Sequence, residues 1–180
     1  MKKIIGFSGS PRKQGNTEFL VNKILSGAKE KGAETKLINL SELKVGGCKS
    51  CFYCKKNEGC AIKDDMQEII NEIKNADSII IGSPIYMWQM TSQTKAFVDR
   101  LFSFYNSPLS GALNGKKCIL AFTHGSPDDS YRSYIDSTSK MLNFLGFKVI
   151  GTLAVGNANN GINSNTNILS KAYNLGQSLV

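Results

Sequence analysis

Cys48, Cys51, Cys54 and Cys60 fall within thirteen residues, at the spacing C-x2-C-x2-C-x5-C. A C-x2-C step turns two thiolates toward one centre, and two overlapping steps aim three thiolates inward from a single loop. That overlap is closer to iron–sulfur ligation than to zinc, whose structural sites usually present two separated pairs. In two-cluster ferredoxins the fourth cysteine of such a run serves the other cluster and precedes a proline. Here Cys60 precedes Ala61 and no second run exists, while Gly59 and the five-residue spacer let the chain fold back so that Cys60 closes the same site. The spacing favours a [4Fe–4S] cluster, with zinc or free reactive thiols as the competing readings. A disulfide scaffold fits poorly, because such chains are short and cysteine-rich throughout. Cys118 lies in the apolar run Lys117-Cys-Ile-Leu-Ala-Phe122 and reads as a core residue.

A second set of residues has anion chemistry. The stretch Ser8-Gly-Ser-Pro-Arg-Lys-Gln-Gly-Asn-Thr17 joins an apolar run to an amphipathic one. A Gly- and hydroxyl-rich turn at a helix N-terminus offers backbone N–H groups and a favourable dipole to an anion. Ser8, Ser10, Asn16 and Thr17 add side-chain donors and Arg12 adds charge. Neither the G-x-G-x-x-G fingerprint nor the Walker A loop is present. So many hydroxyl donors suit a terminal phosphate monoester.

Two further turns border the same edge. Ser83, Pro84, Ile85, Tyr86, Met87 and Trp88 follow one strand, and a planar ring would sit against them. Thr123, His124 and Gly125 follow another; Thr123 and Gly125 offer backbone groups, while a lone loop histidine is more often a turn residue than a catalyst. No Ser/His/Asp set or paired carboxylates argue for a hydrolase, and no catalytic side chain is assigned.

The elements that must carry these groups alternate. Candidate strands are Lys3–Ser8, Thr35–Leu40, Ser78–Ser83, Lys117–Thr123 and Lys148–Val155. Most are continuous apolar runs, as in parallel strands covered on both faces. Candidate helices are Thr17–Lys31 with Asn16 as N-cap, Asp65–Asn75, Ser92–Tyr105, Tyr131–Leu145 and Asn163–Leu179. The repeated βα alternation predicts one α/β domain over residues 1–180, a doubly wound sheet of flavodoxin-like order 2-1-3-4-5 with its ligand at the strands' carboxyl edge. The long insertion at 41–63 carries the whole cysteine cluster, and long loops in compact domains are usually functional or disordered.

Lysine and arginine outnumber acids by 22 to 14, for a net charge of +8, but the cations are scattered and mark no nucleic-acid surface. No apolar run approaches membrane-spanning length. The opening apolar stretch ends at Phe7, too short for a secretory signal, so a cytoplasmic location is expected.

Taken in order, Gly9–Thr17, the cysteine run ending in Cys60-Ala-Ile-Lys-Asp-Asp-Met66, Ala76–Tyr86 and Lys95-Ala-Phe-Val-Asp-Arg100 resemble the NADPH-dependent FMN reductase branch of flavodoxin-like proteins, and more narrowly the iron–sulfur flavoproteins of anaerobes. The resemblance implies FMN, with its phosphate on residues 8–17 and its isoalloxazine against 83–88 and 123–125. It also implies a homodimer or homotetramer with the flavin near a subunit interface; Trp88, Met90, Phe102, Phe104 and Tyr105 are the apolar residues expected there. The expected function is an FMN-dependent oxidoreductase passing electrons between FMN and a [4Fe–4S] cluster. NAD(P)H or ferredoxin would be the donor and a small molecule the acceptor. The alternatives are a plain FMN or quinone reductase without a cluster, and a non-enzymatic redox sensor or electron carrier.

Overall fold

A computed structural model describes residues 1–180, apart from the side chain of Asn160. Five parallel strands form the sheet: β1 (Lys3–Ser8), β2 (Glu34–Asn39), β3 (Ser78–Tyr86), β5 (Lys117–Thr123) and β6 (Lys148–Val155). They lie in the order β2-β1-β3-β5-β6, and a short β4 (Gln89–Met90) pairs antiparallel with the end of β3. Apart from that added hairpin, this is the expected flavodoxin-like topology. The switch point falls between β1 and β3, whose register runs Ile4↔Ser78 to Ser8↔Gly82.

Alternation along the strands explains why their sequences look uniformly apolar. Ile4, Ile80, Ile119 and Ala121 pack on one face with Leu20, Val21 and Ile24 of α1 (Asn16–Glu30) and Ala172 of α5 (Thr166–Gln177). Ile5, Phe7, Ile79, Ile81 and Leu120 point the other way. There they meet α2 (Met66–Asn75), α3 (Ser92–Arg100) and α4 (Arg132–Phe144). The stripe Met66, Ile69, Ile70 and Ile73 is buried as its spacing predicts.

Two glycines let α1 and α5 touch through their backbones. A Cβ on Gly27 would sit 2.0 Å from the Tyr173 carbonyl oxygen, and one on Gly176 would sit 1.8 Å from that of Ile24.

Most element ends differ from expectation by a residue or more: β3 runs on to Tyr86, and α5 starts at Thr166 rather than Asn163. Gly15 is the N-cap of α1, and Asn16 is its first helical residue. The third helix stops at Arg100 and tightens into a 3₁₀ turn over Leu101–Phe104. Residues 41–63 form an irregular excursion with 3₁₀ turns at Leu40–Glu42, where it leaves β2, and at Tyr53–Lys55. No helix among the described residues is long and apolar enough to cross a membrane.

Candidate functional site

The carboxyl ends of β1, β3, β5 and β6 open onto one cleft of about 380 Å³, within the usual size of small-molecule sites. Its floor begins at the 10–17 turn. Ser10 Oγ accepts from Arg12 N at 3.1 Å, which curls the chain ahead of the helix. Gly15 then sits at the N-cap in extended conformation and no side chain caps α1. The first-turn N–H groups therefore lack the side-chain acceptor that most helices supply at this position. An anion placed there gains both these donors and the helix dipole.

The loops are tied together behind this floor. The Thr17 and Thr123 hydroxyls pair at 2.7 Å, and Asn16 Nδ2 donates to the Ala158 carbonyl at 2.5 Å. His124 donates its backbone N–H to Val155 O at 2.9 Å. Its ring Nδ1 lies 3.1 Å from Ser126 O, which selects the tautomer protonated at Nδ1. Burial holds the imidazole pKa below its ordinary value of 6.5, outweighing that bond and Asp128, so the ring is neutral near pH 7. Its Nε2 is buried without a partner among the described residues. A buried neutral ring suits a wall rather than an acid.

The rim of the cleft is an apolar hairpin. Tyr86 pairs with Gln89 across a two-residue turn, Met87 and Trp88. Both turn residues have positive φ, +45° and +67°, as a type I′ turn requires. Such turns prefer Asn-Gly, because a larger side chain costs about 1–2 kcal/mol in this region. Met87 and Trp88 are nonetheless 84% and 70% exposed. Two large apolar residues are thus held in a costly backbone conformation and left exposed at the rim.

Ten of the fourteen expected cofactor residues line the cleft: Ser10, Arg12, Asn16 and Thr17 on the first loop, Pro84, Ile85 and Tyr86 on the second, Thr123, His124 and Gly125 on the third. Ser8 and Ser83 lie behind it, fully buried. The Ser83 hydroxyl accepts from Thr91 N at 3.1 Å and from the Thr94 hydroxyl at 3.0 Å, holding the β3 end against α3. Met87 and Trp88 form the tip outside the cleft wall. Sequence reasoning missed Gly15, Ala158 and Asn159, which also line it. The last two follow β6, so the rule that ligands gather at strand carboxyl ends could have found them.

The cysteine loop reaches the same neighbourhood from the far side of the hairpin. Ser50 and Phe52 both have left-handed backbones, so the chain turns sharply on either side of Cys51. Cys48 and Cys51 are exposed, Cys60 is half-buried and Cys54 is buried, which pushes the Cys54 thiol pKa up. Among the described residues no three potential ligands converge on one point. The donor set fits a soft metal centre, and the side chains stand apart. Cys48 lines an apolar groove of about 570 Å³ with Met90, Phe102 and Tyr134, and Met90 belongs to the hairpin whose Tyr86 lines the cleft. Cys118 is fully buried in β5, away from this loop.

The aromatic residues expected at an interface divide. Phe104 and Met90 belong to the chain's own core. Trp88 is exposed, and Phe52, Phe102, Tyr105 and Phe144 form a surface row with centroid separations of 6.2, 6.1 and 5.0 Å.

Residues 2–160 match the family model described as NADPH-dependent FMN reductase. An iron–sulfur flavoprotein of Methanocaldococcus jannaschii is 48% identical over 99 residues, covering 54% of this chain and 50% of that one. An iron–sulfur flavoprotein of Methanosarcina thermophila is 36% identical over 149 residues, covering 83% and 77%. The match thus spans about half the length of the first relatives and most of the second. Among solved structures, the NAD(P)H:quinone oxidoreductase from Methanothermobacter marburgensis superposes with a TM-score of 0.79 over 99% of this chain and 96% of that one, at 14% identity. That likeness is one of fold.

Proposed function

The chain belongs to the NADPH-dependent FMN reductase family, and from that footing we propose that it is an FMN-dependent oxidoreductase of the iron–sulfur flavoprotein type, passing electrons between FMN and a [4Fe–4S] cluster. The observation that carries the flavin reading is the uncapped start of α1, opening into a cleft walled by hydroxyl, amide and guanidinium donors. The first-turn N–H groups, those of Asn16 and Thr17 among them, and Ser10 would bind the phosphate, and Arg12 would neutralise its charge. Pro84, Ile85 and Tyr86 orient the ring, and Met87 and Trp88 shield it from water. His124, neutral and fixed by Ser126, adds no second positive charge beside the ring. The flavin when bound supplies the exchange between hydride and single electrons, and the protein supplies position and electronics.

Cys48, Cys51, Cys54 and Cys60 would hold the cluster. Four soft sulfur donors in one loop suit iron–sulfur ligation, and iron–sulfur flavoproteins are among the chain's relatives. The open thiols mean that Cys48 and Cys51 must turn inward as metal binds. The same openness favours a second reading, a plain FMN or quinone reductase in which the loop stays empty.

NAD(P)H or reduced ferredoxin is the donor, and a small oxidant the acceptor. Adding each donor anaerobically to flavin-loaded protein tests the enzyme reading: bleaching of flavin absorbance by at least one is expected, and none with either contradicts it. A homodimer or homotetramer would cover Trp88 and the Phe52–Phe144 row. Sedimentation at micromolar concentration should show an oligomer, and monomer alone would refute this assembly.

A further inference from the structure

We propose that Arg100 is the positioning residue of the cysteine loop, binding both ends of the loop through one guanidinium and keeping an N–H at the Cys60 end for a metal-bound sulfur. This rests on the cluster reading above.

Arg100 ends α3 and is 1% exposed, the largest fully buried side chain among the described residues. Its Nη1 donates to Gly46 O and to Asp64 Oδ2, both at 2.9 Å, and Nη2 donates to Asp64 Oδ1 at 3.0 Å and to Ile62 O at 3.5 Å, so four of its five N–H groups are used. Gly46 lies two residues before the first cysteine of the loop, and Asp64 lies four after the last. Asp64 completes the clasp, because its Oδ2 also accepts from Gly46 N at 2.9 Å. Gly46 is thus held at its carbonyl by the arginine and at its N–H by the aspartate. A second rung lies just outside: Lys44 N donates to Asp65 Oδ2 at 2.6 Å, and Asp65 N donates to Lys44 O at 3.2 Å. The base of the loop is therefore built, although its thiols stand apart.

Closing a loop does not by itself call for a buried charge. Well-packed apolar side chains do it as well or better, because an ion pair loses its hydration on burial. A guanidinium earns retention only if its remaining donors are used, and here one is left over. Nε is buried with no hydrogen-bond partner among the described residues, and a buried donor left unmade is destabilising. Ile62, whose carbonyl Nη2 reaches, lies two residues past Cys60, so the guanidinium stands at the Cys60 end of the loop, where a cysteine sulfur can accept the left-over N–H. Sulfur bound to iron keeps that acceptor capacity, and N–H···S bonds are one of the terms that set a cluster's potential. Metal at the half-buried Cys60 would fix a sulfur acceptor for the left-over donor.

The experiment reconstitutes wild type, Arg100→Lys and the double variant Arg100→Met/Asp64→Leu anaerobically with iron and sulfide. Iron per chain, FMN per chain and the cluster's reduction potential are read together. Lysine keeps a charge opposite Asp64 but has neither the planar fork nor Nε; the double variant removes the pair without stranding either charge. FMN content should stay within about twofold in both, since the phosphate loop is built on a different strand. Iron affinity should fall by about tenfold or more in the double variant, the loss typical of a missing outer partner. Arg100→Lys should retain some cluster at a lower potential than wild type. Iron binding and potential unchanged in both variants would overturn the proposal. So would parallel loss of iron and FMN, which marks a merely structural arginine. Wild type that binds FMN but no iron would overturn the cluster reading and this role with it, while leaving the flavin site standing.

Discussion

Replacing Gly15 with aspartate should weaken FMN binding while leaving riboflavin binding almost untouched. Gly15 occupies the N-cap of α1 with φ −77° and ψ 173°, an extended conformation that any residue adopts. An aspartate there supplies the missing acceptor for the first-turn N–H groups. Relative to glycine, that cap is worth a few tenths of a kcal/mol, and its charge at the helix N-terminus adds about 0.3–1 kcal/mol. Crowding takes some of this back, since the new Cβ would lie 3.1 Å from Arg12 O and 3.2 Å from Arg12 Cβ. The flavin-free protein should therefore keep its melting temperature or gain slightly. In the complex the carboxylate faces the phosphate. Two unit charges about 5 Å apart at an effective dielectric of about 20 repel by roughly 3 kcal/mol, and a phosphate carries about −1.5 to −2. Halving that for the half-exposed position still leaves at least about 2 kcal/mol, roughly thirtyfold in affinity. Flavin fluorescence titrations with FMN and riboflavin, on Gly15→Asp and on Gly15→Ala, read this directly. Alanine adds the same Cβ without charge and isolates the steric part. If aspartate weakened FMN and riboflavin equally, or neither, the phosphate would not sit at this helix end.

The hairpin tip should trade stability for binding: Met87→Asn/Trp88→Gly places the residues that a type I′ turn prefers and should raise the stability of the flavin-free protein by about 1–2 kcal/mol in urea unfolding, while weakening flavin affinity; tighter flavin binding would refute the shielding role. Glu72 accepts from Lys3 at 2.8 Å and Lys36 at 2.6 Å. Lys3 first and then Lys36 hold its carboxyl below the ordinary value of 4.5, against the opposing effect of burial. A depressed folded-state pKa stabilises above the unfolded value and is lost as pH falls through the folded one. Glu72→Gln should accordingly flatten the acid limb of the stability curve, and an unchanged difference between unfolding at pH 7 and pH 3 would count against it. Alanine at Cys48, Cys51, Cys54 or Cys60 should cost iron but not FMN. Cys118→Ala should cost about 1 kcal/mol of stability through its small cavity and leave iron unchanged; iron loss there would contradict the ligand assignment.

Most of the sheet was legible because Ile4 and Ile5, or Ile79 and Ile80, serve opposite faces and so leave continuous apolar runs. The α1 boundary slipped by one residue because Asn16 has the chemistry of a cap, yet its amide is engaged by the Ala158 carbonyl, leaving Gly15 at the cap position. The β3–β4 hairpin was invisible: Met87 and Trp88 carry none of the turn chemistry that normally announces a type I′ turn. Helix α3 ends at Arg100 rather than Tyr105, and the buried tie from Arg100 to Asp64 links residues whose spacing carries no signal. The cleft loops after β1, β3 and β5 were readable from hydroxyls, glycines and aromatics placed just past apolar runs. Ala158 and Asn159 carry no such residue chemistry, and only their place just past β6 could have marked them. Phe104 and Met90 were misjudged as surface because hydrophobicity alone does not say which side of a 3₁₀ turn or a two-residue strand faces the core.

The central claim joins a flavin and a metal centre in one chain, and cofactor analysis after anaerobic reconstitution tests it most directly. The full chain is loaded with FMN, iron and sulfide, freed of excess, and analysed for flavin, iron, sulfide and zinc. About one FMN with about four iron and four sulfide per chain is expected, with broad iron–sulfur absorbance under the flavin bands. Stoichiometric zinc, or FMN alone with no iron–sulfur absorbance, would contradict it.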